Sequence, residues 1–314
     1  MSAPRYLLVG AASELSLRPL AVELRSRGLS VSVVDLAVQE LGPADLPPGD
    51  GPLVMITSQH LGLTGQAYDT YYAIHTNVAT PPALKVAVGA DLLVYVPHDL
   101  GDPVLHGEMP LLSLLDLYVA PDDSTWWATA HVPTVVAGWV ASAGAERFPA
   151  PQEVLHRGVL FVSAVKWIMS RGGGPFLVDA LRHTLAHGLA VKLPDWPGVE
   201  GLEDALRGAG AVVVDRQAPA AALIAQAPLV VSTASGSIIA EAALAGHRPV
   251  CVAPTGGERE LTGDVAEFDV ITCSDEEFPE AVGRAGRVRP GSGSFDTDLF
   301  LTAVRDRLEA LARD

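Results

Sequence analysis

The sequence predicts an α/β protein built from two doubly wound domains facing a central cleft. Three observations carry that expectation. Short β-rich apolar runs alternate with helical stretches almost from end to end, the alternation is interrupted once and then restarts, and 314 residues suffice for two separate cores. Strands alternating with helices need crossover connections, and so a parallel sheet covered on both faces.

Taken in order, the strand candidates of the first half are 6–9, 31–35, 53–57, 92–97, 117–120 and 134–137. Helical segments fall between them at 15–27, roughly 76–88, 110–115 and 124–129. The stretch 141–158 (ASAGAERFPAPQEVLHRG) breaks the rhythm with Ala, Gly and Pro and reads as an interdomain connection. Strands resume at 159–163, 189–192, 211–215, 229–232, 249–253 and 270–273, separated by helices at 175–187, 201–207, 219–226, 237–245 and 275–285. A last helix, about 297–312, carries Leu301, Val304, Leu308 and Leu311 on one stripe. The expected division is 1–145, a linker at 146–158, a second domain at 159–296 and a terminal helix at 297–314. Open α/β sheets bind ligands beyond the carboxyl ends of their strands, which makes the cleft the expected site.

Hydrophobic residues make up 49% of the chain and charged ones 18%, a composition that collapses rather than stays disordered. The net charge of -16, from 37 acids against 21 bases, repels nucleic acid and anionic lipid as principal partners. It leaves room for a nucleotide, because a local set of donors at a helix N-terminus holds phosphate. The two cysteines, Cys251 and Cys273, fall in apolar strands and read as inert core thiols. The nine histidines show no metal-ligand spacing, so neither a metal nor a resident cofactor is expected. The first fifteen residues form a strand and a turn without the apolar core of a signal peptide. No apolar run long enough for an integral membrane segment occurs, so the expected compartment is the cytoplasm.

The most informative stretch is 228–254, PLVVSTASGSIIAEAALAGHRPVCVAP. An apolar strand ends in Ser232, Thr233, Ala234, Ser235, Gly236 and Ser237, and a helix of small residues follows, with Glu241 one turn in. Small residues let backbone N–H groups approach phosphate oxygens, hydroxyls add donors, and the helix N-terminus presents partial positive charge. Glu241 is placed to face ribose hydroxyls. An ordinary helix cap in a tightly packed turn is the alternative. Strand 159–163 leads into Ser163, Lys166, Arg171 and a glycine triplet at 172–174, either a second set of phosphate donors or a solvated loop. Lys192, at the end of its strand, is a phosphate-contact candidate, with simple exposure as the alternative.

In the first half, the turn Gly10-Ala11-Ala12-Ser13-Glu14 lacks the spacing of a dinucleotide or ATP fingerprint. Strand 92–97 ends in His98 and Asp99, where a histidine or carboxylate could take a proton from an attacking hydroxyl. A loop histidine that merely caps local backbone is the alternative.

The order strand, hydroxyl-rich turn, Glu-bearing helix, Gly-x-x-Pro and strand resembles the donor-binding signature of the GT-B glycosyltransferase superfamily. In pattern it is similar to CDP-glycerol glycerophosphotransferases and to non-hydrolysing UDP-GlcNAc 2-epimerases. The resemblance implies two Rossmann-like, GT-B-like domains and an inverting transferase. It would move a glycosyl or polyol-phosphate group from a nucleotide-diphosphate donor, a nucleotide-sugar or CDP-polyol, to a hydroxyl acceptor. It assigns the donor to Ser163, Lys166, Lys192, Ser232, Thr233, Ser235, Gly236, Ser237 and Glu241, the base to His98 and Asp99, and the acceptor side to Ser13 and Glu14. A homodimer is compatible with it. Departures keep other readings open. Leu193 stands where the glycerophosphotransferases carry histidine, and Glu258-Arg259 resembles an epimerase motif without its proline. The alternatives are a sugar-nucleotide 2-epimerase and a non-catalytic nucleotide-binding protein of the same fold.

Overall fold

The computed structural model describes residues 2–10, 14–35, 41–58, 81–97, 100, 114–122, 132–195, 198–234, 236–253, 268–288 and 294–313. They form two compact units. The first holds the described residues up to 97, from 114 to 144 and from 294 onward, and the second holds residue 100 and those from 145 to 288.

In the first unit, β1 (Arg5–Gly10), β2 (Ser30–Asp35), β3 (Leu53–Thr57), β4 (Leu92–Tyr95), β5 (Leu117–Ala120) and β6 (Thr134–Val136) make one parallel sheet. Its order is β2-β1-β3-β4-β5-β6. The central strands are buried on both faces, as their unbroken apolar runs require. Two carboxylates fix the amino ends of strands: Asp91 Oδ2 accepts the Leu53 N–H at 2.7 Å, and Asp116 Oδ2 accepts that of Leu93 at 2.6 Å. Asp116 also pairs with Lys85 at 2.6 Å.

The helix Thr297–Leu311 returns to this unit and buries Phe300, Val304 and Leu308. Asp296 caps it by accepting the Leu299 N–H at 2.9 Å, and Arg307 Nε donates to the Asp116 carbonyl at 3.0 Å. The return crosses Gly138, whose φ of 91° and close approach to the Ser294 carbonyl leave no place for a side chain.

In the second unit, β7 (Val159–Phe161), β8 (Ala190–Lys192), β9 (Val230–Ser232), β11 (Val250–Ala253) and β12 (Ile271–Ser274) are parallel, in the order β12-β11-β9-β7-β8. The strand expected at 211–215 is reduced to a parallel bridge between Val213 and Val191 on the open side of β8. Two backbone bonds make that bridge: Val191 N to Val212 O at 2.7 Å and Val214 N to Val191 O at 2.8 Å. Counted with the bridge, successive strands lie in the order 3-2-1-4-5-6, the doubly wound Rossmann arrangement, and the order reverses between β7 and β9. A two-stranded antiparallel ribbon, β10 (His247–Arg248) with β13 (Gly286–Arg287), stands apart from this sheet.

The expected connection is not an open linker. Helix Gln152–Arg157 buries Val154 against Leu223 and Ile224, and Gln226 bonds both Phe148 O and Ala150 N. The helix expected at 175–187 is two, Gly174–Ala180 and Arg182–Ala186, broken at Leu181. Asp275 accepts the N–H groups of His183 and Thr184 and the Thr184 hydroxyl, capping the second piece from a distant turn. Cys251 and Cys273 are both buried and not disulfide-bonded. Their register sets Cys251 beside Thr272 and Cys273 beside Val252, so the two thiols face opposite sides of the sheet.

Candidate functional site

The strand order reverses where β7 and β9 end, and the two turns leaving these strands are joined by side chains. β7 passes through Ser163 into Ala164, whose φ of 54° and ψ of 38° make it the one non-glycine residue at positive φ among the described residues. That left-handed step aims the chain into helix Val165–Ser170, where the sequence suggested a loop. β9 ends in Ser232, and Thr233 N donates to Phe161 O at 3.1 Å. Thr233 Oγ1 accepts the Ser163 N–H at 2.8 Å and donates to the Ser163 carbonyl at 2.9 Å. Ser232 Oγ donates to Ala234 O at 2.8 Å and lies 3.2 Å from Ser163 Oγ. With the Ser232 proton committed, Ser163 is the donor of that pair.

Ser232 and Thr233 are 0% and 1% exposed. Their hydroxyls therefore staple one turn to the other and sit beneath the surface. Beyond them, Gly236 adopts φ 158° and ψ −167°, a region open to glycine, and nothing lies within 4 Å of where its Cβ would be. Helix Ser237–Leu244 begins there, and no side chain of its cap residue closes the first turn. Glu241 is buried one turn in. Lys166 is exposed on the first turn of the helix after β7. On the same helix Trp167 meets Phe176 edge-on at 5.5 Å, and Arg171 lies 5.5 Å over the Trp167 ring.

Lys192 is placed differently from the exposed strand-end lysine of the sequence. It is 6% exposed, and its Nζ donates to Leu193 O at 2.8 Å and Arg216 O at 2.6 Å. Burial pushes its ammonium down to about 8, with Asp195 and Asp215 opposing the shift and Arg216 adding to it. Thr57 and Ser58, at the end of β3, are fully buried. Arg287 lies in β13 and donates to Ala225 O at 2.7 Å.

Ser13, His98, Asp99 and Ser235 lie outside the described residues, as do Trp126, Trp127, Glu258 and Arg259. Glu14 opens the first helix, Glu14–Ser26, but its side chain is outside them too. The structure thus gathers Ser163, Ser232 and Thr233 at one point, with Gly236, Ser237 and Glu241 on the adjoining turn and helix. It keeps Lys192 to itself beside a different turn. Sequence reasoning missed the left-handed Ala164 and the anchored turn 215–217, because neither has a residue type that marks it.

A cavity of about 590 Å³ lies at the opposite, amino-terminal edge of the first sheet, lined by Arg5, Asp50, Asp91 and Leu308 among others. That edge is where doubly wound sheets do not bind their ligands. Among the described residues no group of three or more His, Cys, Asp or Glu could hold a metal ion, and no helix is long and apolar enough to cross a membrane.

No protein-family model matches the chain, and no curated protein matches it. Solved structures do. A UDP-GlcNAc 2-epimerase from Neisseria meningitidis, bound to UDP-GlcNAc, is 11% identical over 99% of this chain and 100% of its own, with a TM-score of 0.49. The spinosyn forosaminyltransferase SpnP is 13% identical over 98% of this chain and 94% of its own, at 0.46. The glycosyltransferase SnogD from Streptomyces nogalater is 16% identical over 99% and 98%, at 0.44.

Proposed function

We propose that this chain is a transferase that moves a glycosyl or polyol-phosphate group from a nucleotide-diphosphate donor to a hydroxyl acceptor, with inversion. One observation carries the reading: the strand order of the second sheet reverses between β7 and β9, and helix Ser237–Leu244 starts there behind a glycine, Gly236, which has no side chain to occupy its first N–H groups. Such a reversal opens a crevice at the carboxyl edge of a sheet, and helix N–H groups in it suit a diphosphate. In this reading Ser163, Lys166, Gly236, Ser237 and the turn at Ser235 face the phosphates. Ser232 and Thr233 hold the two turns in register, and Glu241 orients the ribose side. His98 or Asp99 takes the proton from the acceptor hydroxyl as its oxygen attacks the donor. The bond to the departing group breaks, a nucleoside diphosphate in glycosyl transfer and a nucleoside monophosphate in polyol-phosphate transfer, and its charge spreads over the helix N–H groups and Lys166.

Calorimetry with UDP, CDP, GDP and their sugars tests the reading. At least one should bind, and Gly236→Ala should weaken it by about tenfold or more while lowering stability by only about 1 kcal/mol. Binding by none of them overturns the proposal. A double change, His98→Ala with Asp99→Ala, should abolish transfer while leaving donor binding in place.

Epimerisation of a nucleotide sugar is the second reading, favoured by Glu258-Arg259 in the sequence. Solvent deuterium entering C2 of UDP-GlcNAc during turnover would support it, and its absence would remove it.

A further inference from the structure

Lys192 is an ammonium almost wholly removed from water, and its polar contacts are two main-chain carbonyls rather than a carboxylate. One carbonyl, Leu193 O, belongs to the turn after β8. The other, Arg216 O, belongs to the turn after the bridge strand at 212–214. That strand is held to β8 by the two rungs at Val191. Past Val214 no further rung continues the pairing among the described residues, and Lys192 supplies the next link.

We propose that Lys192 is a positioning residue: it clamps the turn 215–217 to the carboxyl edge of the second sheet, so that a nucleotide bound along this edge depends on Lys192 without touching it. The inference rests on the reading of that edge as the ligand site.

Three features of the turn make the clamp effective. Within it, Gln217 N donates to Asp215 Oδ1 at 2.9 Å and Ala218 N to Asp215 O at 3.0 Å, so it is internally stiff. Arg216 reaches back to Glu200 at 3.2 Å and Glu203 at 3.6 Å, so its side chain is turned toward helix Glu200–Gly208. Both outside anchors of this stiff turn are on Arg216, so cutting the one from Lys192 frees its backbone and leaves only the side-chain pairs. Direct contact between Lys192 and a phosphate is the poorer account. Two of the ammonium's three N–H groups are spent on these carbonyls, and at 6% exposure it could move out to a ligand only by breaking them. Among the described residues the charged groups acting on it are Asp195, Asp215 and Arg216, two acids and a single cation.

The chain has three lysines, Lys85, Lys166 and Lys192, so isotope labelling of lysine resolves each one by NMR. The Lys192 signal, identified by its loss in Lys192→Met, should titrate below the ordinary lysine value of 10.5. In that variant the amides of Gln217 and Ala218 should exchange about tenfold faster, and those of β7 and β9 at unchanged rates. Whichever of UDP, CDP, GDP and ADP the wild type binds should bind about tenfold more weakly to Lys192→Met. The wild-type affinity should also follow the Lys192 titration with pH, while the variant's stays flat through that range. Unchanged exchange at the turn, or a Lys192 signal that titrates at that ordinary value, overturns the proposal. Nucleotide affinity unchanged by the substitution does so too. Failure of the wild type to bind any nucleotide overturns instead the underlying reading of the edge. Should Lys192→Met not fold, the lysine titration in the wild type decides, with a shift of the Lys192 signal on direct phosphate contact counting against positioning.

Discussion

Burial lowers Lys192 to about 8 from an ordinary 10.5, and the consequence for stability has a definite sign. Between those values the unfolded chain holds a proton that the folded chain has released. Stability therefore rises as pH climbs through this window, and the full penalty, on the order of 3 kcal/mol, is present below it. Denaturant unfolding of the wild type should become harder from about pH 8 to about pH 10, and Lys192→Met should lack that rise. His247 behaves alike at the acid end. It is 2% exposed, its Nε2 lies 3.0 Å from Ile224 O, and its Nδ1 meets no partner among the described residues. Burial first, and then Arg287, lower its affinity for a proton. The unfolded chain takes up a proton below its ordinary 6.5 that the folded chain refuses, so stability is lost as pH falls through that point. His247→Asn should make the loss between about pH 7 and about pH 5 shallower, read as the slope of unfolding free energy against pH. Neither burial could be read from residue types. Lys192 was legible as a strand end but not as an interior group, because what covers it is the bridge strand and a carbonyl 24 positions away.

At the scale of elements, packing of helix Gly174–Ala180 against helix Glu200–Gly208 rests on one missing side chain. A Cβ on Gly174 would meet the Ala205 methyl and come within 2.8 Å of the Gly201 carbonyl. Gly174→Ala should cost about 1–3 kcal/mol by overpacking. Gly201→Ala, in the facing helix, meets nothing within 4 Å and should instead add about 0.5–1 kcal/mol through helix propensity. Thermal melts of the two single variants check this, and shifts of the same sign would contradict it. The strands of both sheets were legible because buried parallel strands are unbroken apolar runs, as in Leu53–Thr57 and Leu117–Ala120. The helix at 175–187 misled because its break at Leu181 is held by Asp275, a partner far along the chain. The strand at 211–215 shrank because it has one neighbour, and Val212 is 42% exposed at that edge. The candidate site was legible for the same reason as the strands: a run of small and hydroxyl residues directly after an apolar strand marks a turn that must lie close to another backbone. What it could not convey is that Ser232 and Thr233 spend their hydroxyls on that closeness, leaving the exposed edge to Ser163, Gly236 and Ser237.

At the scale of the whole molecule, the chain leaves its first unit at 144, completes the second, and comes back to finish the first with residues 294–313. The apolar stripe of the terminal helix was legible, but the sheet it covers was not, since period alone does not name a partner. Phe300, Val304 and Leu308 are buried, and burial of side chains of this size stabilises by about 1.5–3 kcal/mol each. Their sum rivals the entire stability of an ordinary domain. Arg27 adds an ion pair to Asp298, and Gly138 lets the returning backbone pass close by the Ala137 carbonyl, which accepts Asp296 N at 2.7 Å. A chain ending at residue 293 should therefore lose its first unit selectively. Hydrogen exchange should reach the unprotected rate in β4 and β5, while β7 and β9, whose core draws on none of the removed residues, keep their protection. Equal loss in both sheets would mean that the second unit's stability is not its own. Protection retained in β5 would mean that the buried stripe contributes far less than its area implies.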